Sequence, residues 1–318
     1  LTGAAQTETG EAIANAFKSS GFVYLSNHGI PQNVIDAAFR HSARFFARPQ
    51  ADKDSLAWTD ARSNRGYVAS GREKLADDPS DVSSLRASNP DLKENMEIGK
   101  EGVEGMPNHW PEHLDAEGAE FTAFMKDFFS TVHHLNVQVM RAIALGMGIA
   151  DESFFDEYID QADNTLRLLH YPAVPKSVFR DNPLQVRAGE HSDYGSITLL
   201  FQDASGGLEV KSPKGTWVRA TPIPGTIVVN AGDLLSRWSN DEIKSTKHRV
   251  IQPPPGPEEL ADDEEHAMFP SRYSIAYFCI PNFEAFIDAL PGTWETVGKK
   301  YEGVFSGAYQ VQRLEETY

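Results

Sequence analysis

Two histidines and an aspartate stand where a metal site can be built. In Arg187-Ala-Gly-Glu-His191-Ser-Asp193-Tyr-Gly-Ser, His191 and Asp193 are two residues apart. An extended backbone turns both side chains to the same side. His248 follows 55 residues after Asp193, in Ser245-Thr-Lys-His248-Arg-Val. Two imidazoles and one carboxylate can cap one face of an octahedral iron(II), which leaves three positions for a cosubstrate and oxygen. A lone His-x-Asp is more often a surface turn, so the reading depends on its company. Arg272-Tyr-Ser274 begins 24 residues after His248, and its arginine and serine again share one strand face. A guanidinium fork beside a hydroxyl is a good receiver for a carboxylate. After a His-x-Asp and a second His, it fits the far end of a dicarboxylate cosubstrate.

These residues need strands to hold them, and the second half of the chain reads that way. Leu166–Tyr171, Ile197–Phe201, Leu208–Lys211, Ile227–Asn230, Lys247–Ile251 and Arg272–Cys279 read as strands, separated by turn residues such as Pro172, Gly195, Gly206-Gly207 and Gly225. Many strands with irregular links favour an all-β sandwich or roll. The first half is more helical. Helices are expected over Glu11–Ser19, from Pro31, and over Phe121–Gly146, where Phe121, Phe124, Met125, Phe128, Phe129, Val132 and Leu135 recur at three and four. Phe22–Ser26 reads as a short strand. Asp60–Glu104 is polar and Gly-rich, which predicts a long loop. Pro253–Met268, with four prolines and a run of acids, predicts a mobile surface loop, and the tail from Trp294 an irregular to helical segment. No clean linker divides the 318 residues, so they read as one unit of helices around a β core.

Composition removes several functions. Twenty-nine basic against 46 acidic residues give a net charge of −17, and such a surface repels phosphate backbones, so no nucleic-acid partner is expected. No apolar run reaches the ~18 residues of a membrane span. The single cysteine, Cys279, can form neither an internal disulfide nor a cysteine zinc site. With no signal-peptide pattern, the expectation is a cytoplasmic, reducing setting. The chain opens on Leu1 rather than methionine, which leaves room for a preceding piece.

The motifs together resemble the isopenicillin N synthase-like branch of the iron(II)/2-oxoglutarate oxygenases. Gly21-Phe-Val-Tyr-Leu-Ser-Asn-His-Gly-Ile-Pro31 is similar to that branch's opening motif, and the stretch from His191 through Leu199 to its first metal strand. Val229-Asn-Ala-Gly-Asp-Leu-Leu, Trp238-Ser-Asn and Lys244-Ser-Thr-Lys-His248-Arg-Val resemble its second half. The resemblance implies a mostly β fold with flanking helices, a double-stranded β-helix or distorted, cupin-like jelly roll. It implies a single catalytic unit over 1–318, with an N-terminal region at 1–115, an oxygenase core at 163–285 and a tail at 286–318. His191, Asp193 and His248 would hold iron(II). Arg272, Ser274 and Tyr171 would hold 2-oxoglutarate, O2 would be the other cosubstrate, and a ferryl species would oxidise a C–H bond of a small molecule. One position departs from the pattern: plant members commonly carry Asn two residues before the tyrosine, and Leu169 stands there instead.

With Tyr171 and Arg272 turned inward, alternation turns Arg167 and Phe278 inward too, and Tyr194 falls at the pocket rim. A guanidinium, a phenol and an aromatic plate suit a small planar carbonyl-bearing ring. Equally, Arg167 can pair with an acid and Phe278 can be core. A narrower likeness, to members that oxidise a pyrimidine methyl group, rests on Asn164-Thr-Leu-Arg167-Leu-Leu-His-Tyr-Pro172, Asn64-Arg-Gly-Tyr67, Gly71-Arg-Glu-Lys74, Arg187-Ala-Gly-Glu190 and Val311-Gln-Arg-Leu. The alternatives are an oxygenase of an amino acid or fungal secondary metabolite, which hydroxylates, desaturates or cyclises, and a 2-oxoglutarate-independent oxidase like isopenicillin N synthase. From another class comes a non-catalytic scaffold. Asn64, Arg65 and Tyr67 are expected in solvated loop, with the option of a lid, and His28, His133 and His134 outside the metal site. The oligomeric state is not legible.

Overall fold

Arg272–Cys279 alternates Arg, Ser, Ala and Phe with Tyr, Ile, Tyr and Cys. In the computed structural model, which describes residues 4–72, 90–182, 184–252 and 267–317, both sets are largely enclosed, so this strand lies inside the molecule with two different neighbours. The strands are β1 (Phe22–Ser26), β2 (Gly66–Val68), β3 (Glu94–Gly99), β4 (Thr165–Tyr171), β5 (Val174–Pro175), β6 (Ala188–His191), β7 (Ile197–Gln202), β8 (Leu208–Lys211), β9 (Trp217–Arg219), β10 (Thr226–Ala231), β11 (His248–Val250), β12 (Met268–Phe269), β13 (Arg272–Cys279), β14 (Phe286–Ile287) and β15 (Val304–Phe305). A seven-stranded sheet runs β1-β10-β7-β13-β4-β3-β2, and a four-stranded sheet runs β6-β11-β8-β9. Neighbours in both are antiparallel. The sheets form the jelly roll expected of the family, the double-stranded β-helix.

The larger sheet buries one face on helices. Helix α1 is Ala4–Ser19, α2 is Gln32–Phe46, α3 is Gln50–Asp54 and α4 is Ala116–Gly146. Met96, Ile98, Leu166, Leu168, Ile275, Tyr277 and Cys279 pack in one cluster with Met125, Phe128, Phe129 and Val132 of α4. Each such buried side chain contributes about 1.5–3 kcal/mol. Asp115 starts α4 by accepting the Gly118 N–H at 2.7 Å, and the Arg48 fork grips the same carboxylate from the end of α2. Where α1 crosses α4, the backbones of Gly10 and Gly146 touch, and a Cβ on Gly146 would run into the Gly10 carbonyl. The other face of the large sheet, with Leu169, Tyr171 and Ala276, meets Ala188, Leu208 and Val250 of the small sheet. The cavity described below lies between them.

Two expectations are corrected. Helix α1 begins at Ala4, not Glu11, because Gly10 serves the close crossing with α4 rather than a helix end. The polar segment Asp60–Glu104 is not all loop: it supplies β2 and β3, both fully buried and both in the large sheet. Its polarity is compensated locally. Glu94 faces the helices, where it accepts from Lys53 Nζ at 2.8 Å and from the Tyr67 hydroxyl and meets His170 Nδ1 at 2.8 Å. Paired charges can be buried without the apolar alternation that announces a strand. Glu73 and Lys74 of the Gly71 motif, and 253–266 of the expected loop at Pro253–Met268, lie outside the described residues. Met268 itself begins β12, which pairs with β5. The tail is helical over Ser306–Thr317.

Candidate active site

His191 ends β6 and His248 begins β11, and the two are directly paired across these strands, with ring centroids 4.3 Å apart. Asp193 follows in the turn toward β7. Its Oδ1 lies 3.9 Å from His191 Nε2 and 3.7 Å from His248 Nε2. Three potential ligand atoms thus fall within 4.8 Å of one another. The far side of each ligand is occupied. His191 Nδ1 meets the Gly189 carbonyl at 2.8 Å, and His248 Nδ1 the Thr246 carbonyl at 3.3 Å. A carbonyl only accepts, so each ring carries its proton on Nδ1 and turns a bare Nε2 inward. Asp193 Oδ2 accepts from Thr198 Oγ1 at 2.6 Å and Asn230 Nδ2 at 2.7 Å, which leaves Oδ1 for the centre. Burial lowers the His191 pKa, and the neighbouring His248 lowers it further, so the ring is kept neutral. Burial opposes the charge on Asp193, but the two imidazoles, Asn230 and Thr198 hold its pKa below the ordinary value. Two imidazoles and one carboxylate with fixed outer partners fit iron(II).

A cavity extends from this triad to Arg272, Ser274 and Tyr171. Arg272 is 1% exposed. Its Nε donates to the Gly206 carbonyl at 2.7 Å, its Nη1 reaches Ser274 Oγ at 3.1 Å, and it sits 4.8 Å from the Tyr171 ring centre. The three come from adjacent strands at matching levels, with Arg272 opposite Tyr171 and Ser274 opposite Leu169. Behind them Arg187 is fully buried and donates to the Tyr171 and Pro270 carbonyls, and burial together with the Arg272 charge brings its pKa down to about 10.

On the other side of His191 and Asp193 opens a second chamber, lined in part by Arg167, Tyr194 and Phe278. The expected acid partner of Arg167 is present. Arg167 pairs with the buried Glu97, Nε to Oε1 2.5 Å, and its guanidinium carbon lies 5.1 Å from the Phe278 ring centre. Phe278 faces this chamber, not the helix-side core. The Tyr194 hydroxyl contacts Thr317 Oγ1 at 2.6 Å. His28, His133 and His134 stand apart from the triad and contact Ile30, Asn164 and Ser130.

Other residues here were not read as part of the site. Asn64, Arg65 and Tyr67 are buried rather than solvated, and Asn64 lines the chamber of Arg167, Tyr194 and Phe278. Its backbone is left-handed, φ 44°, and Trp58 Nε1 donates to its Oδ1 at 3.0 Å. Gln310, Leu314 and Thr317 of the C-terminal helix line that chamber, and Lys93 lines the cavity of Arg272 and Ser274. Asn64 and Leu314 belong to segments that carry the narrower likeness, whereas Gln310 and Thr317 enter only through tertiary docking.

Two family models match the chain: the N-terminal region of the non-haem dioxygenases in morphine synthesis over residues 1–113, and the 2OG-Fe(II) oxygenase superfamily over 162–281. The chain belongs to the 2OG-Fe(II) oxygenases, and is a 2-oxoglutarate-dependent oxidoreductase that uses iron. Among solved structures it is similar to full-length Neurospora crassa thymine 7-hydroxylase (T7H) in complex with alpha-KG and thymine, at 52% identity and TM-score 0.88 over 98% of this chain and 92% of that one. It is also similar to the 2-oxoglutarate-Fe(II) type oxidoreductase ppzD of Metarhizium rileyi, 33% identical over 96% of this chain and 85% of the relative. Proline hydroxylase buaE of Petromyces alliaceus is 35% identical over 95% and 91%. Among the described residues no helix is long and apolar enough to cross a membrane.

Proposed function

We propose that this chain oxidises the methyl group of a pyrimidine base, as a thymine 7-hydroxylase-like enzyme. The observation that carries the reading is the Arg167–Phe278 pair, a cation and a flat ring on one wall of a chamber whose floor is His191 and Asp193. A pyrimidine has faces for Phe278 and carbonyls for Arg167. Similarity to a thymine-bound relative supports it.

In this reading His191, Asp193 and His248 hold iron(II), and Arg272, Ser274 and Tyr171 hold the far carboxylate of 2-oxoglutarate. Bound iron(II), with 2-oxoglutarate and O2, supplies the oxidising power for C–H cleavage. The remaining work belongs to the side chains. Gly189 and Thr246 carbonyls fix the imidazole tautomers. Asn230 and Thr198 keep one Asp193 oxygen from turning. Arg272 and Ser274 neutralise and orient the cosubstrate in a dry pocket. Glu97 holds the Arg167 fork in plane, Tyr194 closes the rim, and Leu314 with its helix keeps water from the C–H bond. We assign 1–318 to a single catalytic unit in a reducing, cytoplasmic compartment.

The test is succinate release, with product mass, over a panel of nucleobases and amino acids. Thymine should raise succinate release above background and gain one oxygen. A second reading is favoured by the proline hydroxylase relative: Arg167 also suits a substrate carboxylate. Stimulation by an amino acid and none by any pyrimidine would replace the first reading with the second.

A further inference from the structure

We infer that Asn64 is a specificity-determining residue, whose carboxamide presents its NH2 group to the substrate. It thereby selects a ring edge that accepts hydrogen bonds, the dioxo edge of a uracil-type ring over the amino edge of a cytosine-type one. The inference rests on the pyrimidine reading and deepens it. Asn64 is 5% exposed and lines the chamber of Arg167, Tyr194 and Phe278. A neighbour decides which way its amide is turned. Trp58 Nε1 lies 3.0 Å from Asn64 Oδ1. An indole N–H donates and cannot accept, so this contact takes the amide oxygen and leaves the nitrogen for the chamber. Among the described residues no group accepts from Nδ2.

Both partners are held by their backbones. The Trp58 N–H donates to the Tyr67 carbonyl at 2.8 Å and the Tyr67 N–H to the Leu56 carbonyl at 2.8 Å, which ties the indole to β2. The Asn64 N–H donates to the Asp60 carbonyl at 3.0 Å, and its φ of 44° lies in the left-handed region that Asn enters more readily than most residues. Strand β2 begins with Gly66 opposite Glu97, and Glu97 is opposite Arg167. The residues just before Gly66 therefore lie toward the end of the sheet where Gly99 faces Thr165 and Thr165 faces Phe278. Gly99 has no side chain there, and the Arg65 guanidinium occupies the place of its Cβ.

The donor count gives the selectivity. The Arg167 guanidinium donates only. With Asn64 turned by Trp58, the two side chains held in one orientation on this wall both donate. The buried Thr165 hydroxyl and the half-buried Gln310 amide also line the chamber and can serve either as donor or as acceptor. A ring edge with a carbonyl meets the fixed donors with acceptors, whereas an exocyclic amine sets N–H against N–H. For Asn64 to accept instead, its amide has to rotate and leave the buried indole N–H unpaired, a loss of roughly tenfold or more in affinity.

The probes are thymine and 5-methylcytosine, which share the methyl group and one carbonyl and differ along one edge. Each is titrated under nitrogen into protein loaded with iron(II) and 2-oxoglutarate. Asn64→Asp keeps an oxygen for Trp58 and turns a second acceptor to the chamber. It should raise the thymine dissociation constant roughly 10- to 100-fold and leave that of 5-methylcytosine unchanged or lower. Asn64→Gly keeps the left-handed backbone and deletes the donor, which should cost thymine a smaller factor, roughly 2- to 10-fold. Trp58→Phe frees the amide to rotate, and should narrow the preference by tightening 5-methylcytosine. Iron per chain, 2-oxoglutarate affinity and melting temperature should stay near wild type. If Asn64→Asp does not fold, the other two variants carry the test. Both rings unshifted, or shifted by one common factor, in the folded variants overturn the inference. A wild-type protein that binds neither ring overturns the pyrimidine reading instead. L-Proline then becomes the probe: its carboxylate only accepts, and unless Asn64→Asp weakens it by the same 10- to 100-fold the donor assignment falls as well.

Discussion

The two oxygens of Asp193 divide their work, one turned to the imidazoles and one fixed by Thr198 and Asn230. Removing the carboxylate in Asp193→Ala should abolish stoichiometric iron and all turnover, because three protein ligands leave no spare. Asn230→Leu removes only a donor behind the ligand. It should weaken iron roughly 10- to 100-fold, read as iron retained per chain against a graded chelator. If the chamber lined by Arg167 and Phe278 takes the substrate as proposed, Phe278→Ala should cost a planar substrate about 0.5–1.5 kcal/mol of stacking and an aliphatic one much less. Arg167→Ala should uncouple the reaction, so that succinate forms without oxidised product. Equal coupling in both variants and wild type would mean that the chamber faces something other than the substrate.

At the scale of elements, legibility depended on whether a strand's two faces differ in polarity. The inward sets Arg167, Leu169, Tyr171 and Arg272, Ser274, Ala276, Phe278 follow from counting by two, and the pairing puts each beside its partner: Arg272 with Tyr171, Ser274 with Leu169, Ala276 with Arg167. Strand β3 defeated the same count. On the helix side Glu94, buried among Lys53, Tyr67 and His170, leaves only Met96 and Ile98 apolar, while Asn95 and Glu97 are buried toward the cavity, so two apolar residues alone mark the inner face. Gly10 misled for a related reason, since a glycine kept for a backbone crossing looks like a stop signal. That crossing gives a prediction of its own. Gly146→Ala sets a methyl against the Gly10 carbonyl, where no flexible side chain can give way. It should destabilise the fold by about 1–3 kcal/mol, seen as a lower urea midpoint at unchanged slope, with the metal site intact in the folded fraction.

For the molecule as a whole, the C-terminal helix Ser306–Thr317 lines a chamber together with His191 and Asp193, which lie more than a hundred positions earlier, so no local spacing in the sequence joins them. Arg313 fastens it: the guanidinium reaches Asp233 at 2.6 Å, takes the Tyr309 oxygen at 3.0 Å and sits 4.4 Å from the centre of the Tyr194 ring. Arg313→Ala should raise the substrate KM by roughly tenfold and increase uncoupled succinate, while 2-oxoglutarate affinity is kept. An equal loss of 2-oxoglutarate affinity would show that the helix supports the whole cavity instead. Cys279, the single cysteine, is fully buried at the end of β13, and burial pushes its thiol pKa well above the usual range. A thiol reagent is therefore blind to the closed chain and colours only when the large sheet comes apart, so labelling becomes a clock for opening. Iron and 2-oxoglutarate, which need the closed sheet, should slow that clock. A ligand at about a hundred times its dissociation constant stabilises by about 2.7 kcal/mol, close to a hundredfold in rate when opening is global. A true substrate added under nitrogen should slow it again, and candidate molecules can then be ranked on an enzyme that has never turned over.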